Sequence, residues 1–226
     1  AALLALGVAG SAQAQERGES ATSNDYKGDL TPAWGHFEIR YGGVYHKSED
    51  LLDVYGSGWN GILQLETGPQ FFRVLEVHFG FGFYQKLAHT IDDSGAASST
   101  RTMMTWYPLS ASLTGRVHIV DEQVVVPYAS IGMDYILWNE KWDNGSGGKN
   151  NLGGGKFGWH WAVGGSLLLD IIEPRRASWL EARTGINDTY LTVEYRRQYV
   201  NPSDKDGHKG LDFTGSQFTI GIKLDF

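Results

Sequence analysis

Residues 217–226 read Gln-Phe-Thr-Ile-Gly-Ile-Lys-Leu-Asp-Phe and are the last ten of the chain. Phe218, Ile220, Ile222, Leu224 and Phe226 share one parity, and Thr219, Gly221, Lys223 and Asp225 share the other. Successive side chains of a strand point to opposite faces, so this segment is a strand with one wholly apolar face.

Working back from it, the same alternation predicts seven more strands, over residues 34–46, 59–67, 71–87, 101–119, 124–140, 157–169 and 189–200. Polar segments at 47–58, 88–100, 141–156 and 201–216 read as long loops after strands one, three, five and seven. A tight turn is expected at Gly68-Pro69-Gln70, because proline cannot donate to a ladder, and a short one near 120–123. An even strand count, with long connections on one side and short ones on the other, is the pattern of a membrane-spanning barrel.

The polar face of each predicted strand carries charge. Glu38, Arg40, Glu66, His78, Arg116, Asp134, His160, Glu194, Arg196, Lys223 and Asp225 all lie on the parity opposite the apolar residues. A soluble sandwich turns such a face to water, whereas a lipid-embedded barrel turns it inward. Parity alone does not separate the two. The N-terminal segment, the loop asymmetry, the terminal Phe226 and aromatic residues near strand ends (Tyr45, Trp138, Trp159, Tyr199) favour the barrel. In so narrow a barrel the inward charges are expected to pair as one polar network, because isolated buried ions are very costly.

The first residues, Ala1–Ala9, form a short apolar run followed by the small-x-small triplet Ala12-Gln13-Ala14. This reads as the end of an export signal, with cleavage expected after Ala14. Residues 15–33 are polar and read as a flexible lead-in, leaving 34–226 as the barrel. The composition agrees: 30 glycines and 13% aromatics suit an all-β chain. A net charge of −7 gives no support for a nucleic-acid partner, and the absence of cysteine removes disulfides, thiolate metal sites and cysteine nucleophiles.

On these residues the chain resembles the small eight-stranded outer-membrane β-barrels of the OmpX, OmpW and opacity-protein type. The likeness covers residues 34–226 in architecture, and its motif-like part is the closing strand with Phe226. It implies a bacterial outer-membrane address and makes Phe218, Ile220, Ile222, Leu224 and Phe226 the signal read by the barrel assembly machinery. Partners are then outer-membrane lipids, lipopolysaccharide and a periplasmic or surface protein, with no cofactor. One departure is the long connection at 170–188. Pro174 suits a first helical turn, Arg183 a helix C-terminus and Gly185 a cap, so a helix is expected over 174–183. Trp179 and Leu180 are the residues expected to dock on the barrel mouth.

The family has adhesins, anchors, narrow channels and a few lipid-modifying enzymes. The reading preferred here is a non-enzymatic structural or surface-interaction protein acting through its loops. A narrow channel for a small solute comes second, since Gly80, Gly82, Gly132 and Gly164 leave interior room, and a lipid-modifying enzyme third. His160 and Ser166 share a face but lie six residues apart, roughly 20 Å at ~3.3 Å per residue, too far for a nucleophile and its base. Arg197 breaks the apolar face and is expected at the outer rim, where it reaches lipopolysaccharide phosphates.

Overall fold

The computed structural model describes residues 33–56, 59–91, 97–119, 123–143, 149–200 and 211–226; the expected segment 1–14 and residues 15–32 lie outside them. Eight strands run in chain order: β1 Gly35–His46, β2 Asn60–Phe71, β3 Leu75–Ile91, β4 Ala97–Arg116, β5 Val125–Asp143, β6 Lys149–Leu168, β7 Asp188–Tyr199 and β8 Gly215–Asp225. Each pairs antiparallel with its neighbour, and β8 returns to β1 to close the barrel. Closure matters because a bilayer offers backbone N–H and C=O groups no partner, so a spanning sheet needs every edge paired.

The two faces of the sheet are inverted relative to a soluble protein. Phe79, Ile131, Phe157 and Ile220 stand outward, each about half exposed or more, while Glu38, Arg40 and Glu194 are almost fully buried. A continuous apolar exterior around a charged interior has only lipid as a matching solvent. Among the described residues no helix is long and apolar enough to cross a membrane.

Several boundaries differ from expectation. Gly68-Pro69-Gln70 does not turn but continues β2, with Pro69 opposite Gly35. The chain reverses at 72–74, where Val74 N–H donates to Phe71 O (3.2 Å) and both Phe72 (φ 53°) and Arg73 (φ 58°) are left-handed. Positive φ at both central residues matches the right-handed twist of a hairpin, and here geometry prevailed over residue preference. The polar segments 88–100 and 141–156 are mostly strand: β3 and β4 meet up to Ile91 opposite Ala97, and β5 and β6 up to Asp143 opposite Lys149. Hydrogen bonding to a neighbour needs no apolar side chain, so polarity misplaced these ends.

The segment expected as loop 47–58 contains helix α1, Glu49–Tyr55, with Leu51 and Tyr55 buried one turn apart. The second helix, α2, spans Pro174–Thr184, with proline in its first turn and Gly185 (φ 74°) capping it through N–H to Glu181 O (2.9 Å). Trp179 on α2 is mostly exposed, and the Arg183 guanidinium lies 4.4 Å from its ring centre. This aromatic–cation pair replaces the docking expected of Trp179 on the barrel mouth. Trp138, expected near the lipid interface, points into the lumen and is buried.

Candidate functional site

The lumen is filled in layers, from the end that carries the β2–β3 turn and Phe226 to the opposite, loop-bearing end. At the first end the rim is closed by Phe226, whose C=O accepts from Trp34 N–H (2.7 Å) and Gly35 N–H (3.0 Å).

Above it lies a layer whose charged side chains come from six strands. Arg40 is its centre. Its Nη2 donates to Glu38 Oε2 (2.7 Å) and approaches Glu66 (3.2 Å). Its Nε and Nη1 lie 2.7 Å from Glu38 and 2.6 Å from Glu194 as ion-pair contacts outside hydrogen-bond alignment. Arg196 bridges Glu66 (2.7 Å) and Glu194 (3.0 Å). Nearer the rim, Arg116 Nη1 sits between Glu76 (2.8 Å) and Asp225 (2.9 Å), and Lys223 Nζ donates to Glu76. His78 has one ring nitrogen on Glu66 (3.1 Å) and the other on Glu76 (2.9 Å).

Asp134 and His160 form a separate contact, 2.8 Å between Oδ2 and Nδ1, higher on β5 and β6. Thus Glu38, Arg40, Glu66, His78, Glu194 and Arg196 come together around Arg40. Arg116 and Lys223 join them through Glu76, and Asp134 with His160 stand apart.

Glu76, His36 and Tyr128 also belong to this layer and were not singled out from sequence. Parity offered the signal for Glu76, two residues before His78 on the same face. His36 likewise precedes Glu38 by two. Tyr128 donates to Glu194 (3.2 Å) from a strand whose lower polar face reads as small residues.

Next comes an amide layer. Gln64 Nε2 donates to Gln217 Oε1 (3.1 Å), and Gln217 Nε2 donates to Gln198 Oε1 (3.0 Å). Above it the interior turns aromatic. Tyr84 stacks on Trp106 (4.4 Å between ring centres), with His46 (4.8 Å) and Phe213 (4.7 Å) edge-on to the same indole. Helix α1 lies over this layer and contributes Leu51 and Tyr55. Tyr55 OH donates to Glu140 Oε1 (2.6 Å); burial, with that hydrogen bond, pushes its hydroxyl well above the ordinary range and keeps it protonated.

The interior glycines do not leave the room expected of them. A Cβ at Gly132 would meet Ser112 Cβ at 2.5 Å and His160 Cε1 at 2.6 Å. At Gly80 it would overlap Ser110 Oγ, and at Gly164 the Tyr128 ring. At Gly82 it would press on Pro108 Cγ at 2.7 Å. Each glycine is the space that a neighbour's side chain already uses. A cavity of about 10 Å³ remains beside Glu38, Arg40, Glu76 and Tyr128, the room that one water needs.

On the lipid side, Phe218, Ile220 and Ile222 are exposed, with Leu224 and Phe226 half-buried towards the rim. Arg197 points outward two residues before the end of β7. Its Nη1 donates to Ser216 Oγ (2.8 Å), and its guanidinium lies 5.5 Å from the Tyr199 ring centre.

A closed eight-stranded barrel with an apolar exterior and a charged interior has the fold of the small bacterial outer-membrane β-barrels. Its fold is similar to that of Neisserial surface protein A, with 14% identity over 85% of this chain and 97% of that one (TM-score 0.50). It is likewise similar to the outer membrane protein OprG from Pseudomonas aeruginosa, with 11% identity over 87% of this chain and 98% of that one (TM-score 0.50). No protein-family model and no curated protein matches the sequence.

Proposed function

We propose that this protein is a non-enzymatic outer-membrane barrel with a sealed lumen, acting as a structural or surface-interaction protein through its loop-bearing end. The observation that carries this reading is the filling of the interior: charged, amide and aromatic layers follow one another, and α1 covers the last. A permeating solute would have to part the Arg40 ion pairs and then the Trp106 stack. Asp134 and His160 are buried within the same packing, so a substrate has no path to them.

The strand lengths favour the loop-bearing end as the working surface. A transmembrane strand needs ~9–11 residues. β1, β7 and β8 have 12, 12 and 11, whereas β4, β5 and β6 have 20, 19 and 20. The surplus of β3–β6 stands beyond the bilayer as a ribbon of sheet. Arg197 lies near that rim, where its charge suits lipopolysaccharide phosphates.

Planar-bilayer recording of the refolded, inserted barrel tests the reading. Steady baseline current from protein shown to be folded is expected. Discrete, reproducible openings would instead favour a narrow solute channel.

A further inference from the structure

We propose that His36, Glu76 and His78 form a binding site for one divalent transition-metal ion inside the charged layer of the barrel. The inference is independent of whether the loop-bearing end contacts a partner. Three side chains from β1 and β3 converge there, and one ligand atom from each lies within 4.8 Å of the others.

His36 makes the geometry informative. It is fully buried, and neither ring nitrogen has a hydrogen-bond partner. A buried imidazole without partners loses its hydration for nothing, so such a group calls for an explanation. Its ring reaches across β2 to lie 4.1 Å, centre to centre, from that of His78. Its partner in register on β2 is Gly68, which places no side chain between the two rings.

The remaining donors are oriented as ligands of a metal are. Glu76 Oε1 is held by Arg116 (2.8 Å) and Lys223, which turns Oε2 towards His78 Nε2 at 2.9 Å. A tetrahedral ion with bonds of ~2.0–2.1 Å holds its ligand atoms about 3.3–3.4 Å apart, so Glu76 Oε2 and His78 Nε2 part by a few tenths of an ångström to admit it. His78 Nδ1 meets Glu66 Oε2 (3.1 Å), and Glu66 is itself held by Arg196 (2.7 Å). This is the carboxylate–histidine–metal arrangement, in which the outer carboxylate sets the tautomer and aims the inner nitrogen.

Charge agrees. The buried residues include six carboxylates (Glu38, Glu66, Glu76, Asp134, Glu194, Asp225) but four permanent cations (Arg40, Arg116, Arg196, Lys223). Asp134 pairs with His160 outside the layer, so the layer itself has five carboxylates to four permanent cations and accommodates further positive charge. Two imidazoles and one carboxylate select zinc, cobalt or nickel over calcium or magnesium, which prefer all-oxygen shells. Arg116 and Lys223 on the far oxygen of Glu76 make binding weaker than at an unpaired carboxylate. The overlapping group Glu38, Glu66 and His78 is a poorer candidate, because Arg40 and Arg196 already occupy its carboxylates.

The test uses the untagged chain refolded with Co²⁺, freed of excess ion by gel filtration, and read by metal content and visible absorption. One Co²⁺ per chain is expected, with absorption bands that fade as pH falls because protons compete for the imidazoles. His36→Gln, which breaks no hydrogen bond, should retain the folded electrophoretic mobility and lose at least tenfold in affinity. Glu66→Gln should weaken binding about 10–100-fold. His160→Gln should leave it unchanged. Folded wild-type protein without saturable Co²⁺ binding, or His36→Gln binding as tightly as wild type, overturns the proposal.

Discussion

Replacing Arg40 by Met removes the one cation among the described residues that faces Glu38, Glu66 and Glu194 together. Arg40 is 2% exposed and its three partners are no more than 3% exposed, so water cannot take over its role. Arg196 still reaches Glu66 and Glu194, but Glu38 keeps only the Thr192 hydroxyl among the contacts described. Breaking a buried ion pair from one side costs about 3–5 kcal/mol, because a charge is left uncompensated in low dielectric. At ~1.4 kcal/mol per factor of ten, the folded fraction relative to unfolded drops by roughly two to three and a half powers of ten. With a urea slope of ~2 kcal/mol per M, the unfolding midpoint falls by about 1.5–2.5 M. Equilibrium urea unfolding in lipid vesicles, followed by tryptophan fluorescence and gel mobility, measures it. Adding Glu194→Gln to Arg40→Met should recover part of the loss, since one orphaned charge is then gone. A shift below about 1 kcal/mol for Arg40→Met, with no coupling to Glu194, would refute the view that the lumen is held by compensated charge.

Three further outcomes follow from local geometry. Changing Phe72-Arg73 to Asn-Gly relieves two left-handed residues, each costing ~1–2 kcal/mol, and should raise the urea midpoint despite losing the 3.7 Å Arg73–Asp188 contact. Asp170, in the connection after β6, has its carboxyl pushed up to about 6 by burial and then by Asp188, against an ordinary 3.8. Its folded form therefore holds the proton more tightly than the unfolded one. Stability should decline as pH rises from about 4 through 6, and Asp170→Asn should flatten that slope in unfolding curves taken at several pH values. Phe226→Ala is expected to lower the amount of barrel reaching the outer membrane in cells more than it lowers the stability of refolded protein. Equal losses in a fractionation assay and in urea unfolding would assign Phe226 to rim packing instead, where its ring lies 5.7 Å from that of Trp34.

The barrel was legible because its evidence repeats: eight segments alternate with a period of two, and the charged residues fall on one parity in each. Strand ends were less legible. Residues 88–91, 97–100, 141–143 and 149–156 are polar or glycine-rich yet lie in strands, because backbone pairing needs no apolar side chain. Helix α1 had a readable signal in Ser48, the Leu51 and Tyr55 spacing and Gly56, but a short helix inside a polar connection gives a weak one.

What the sequence determined by itself is which side chains face inward, since strand geometry leaves each residue two choices and lipid accepts only one of them. It could not determine which inward groups meet. His36 and His78 stand on strands that are not neighbours, and their rings meet over Gly68 of the strand between them. Glu38 and Thr192 are 154 residues apart and touch over Gly221 of β8, the strand between theirs. Those meetings depend on closure and register, through which the barrel brings distant inward-facing positions together. The tertiary structure alone decided that the described interior side chains pack as charged, amide and aromatic layers.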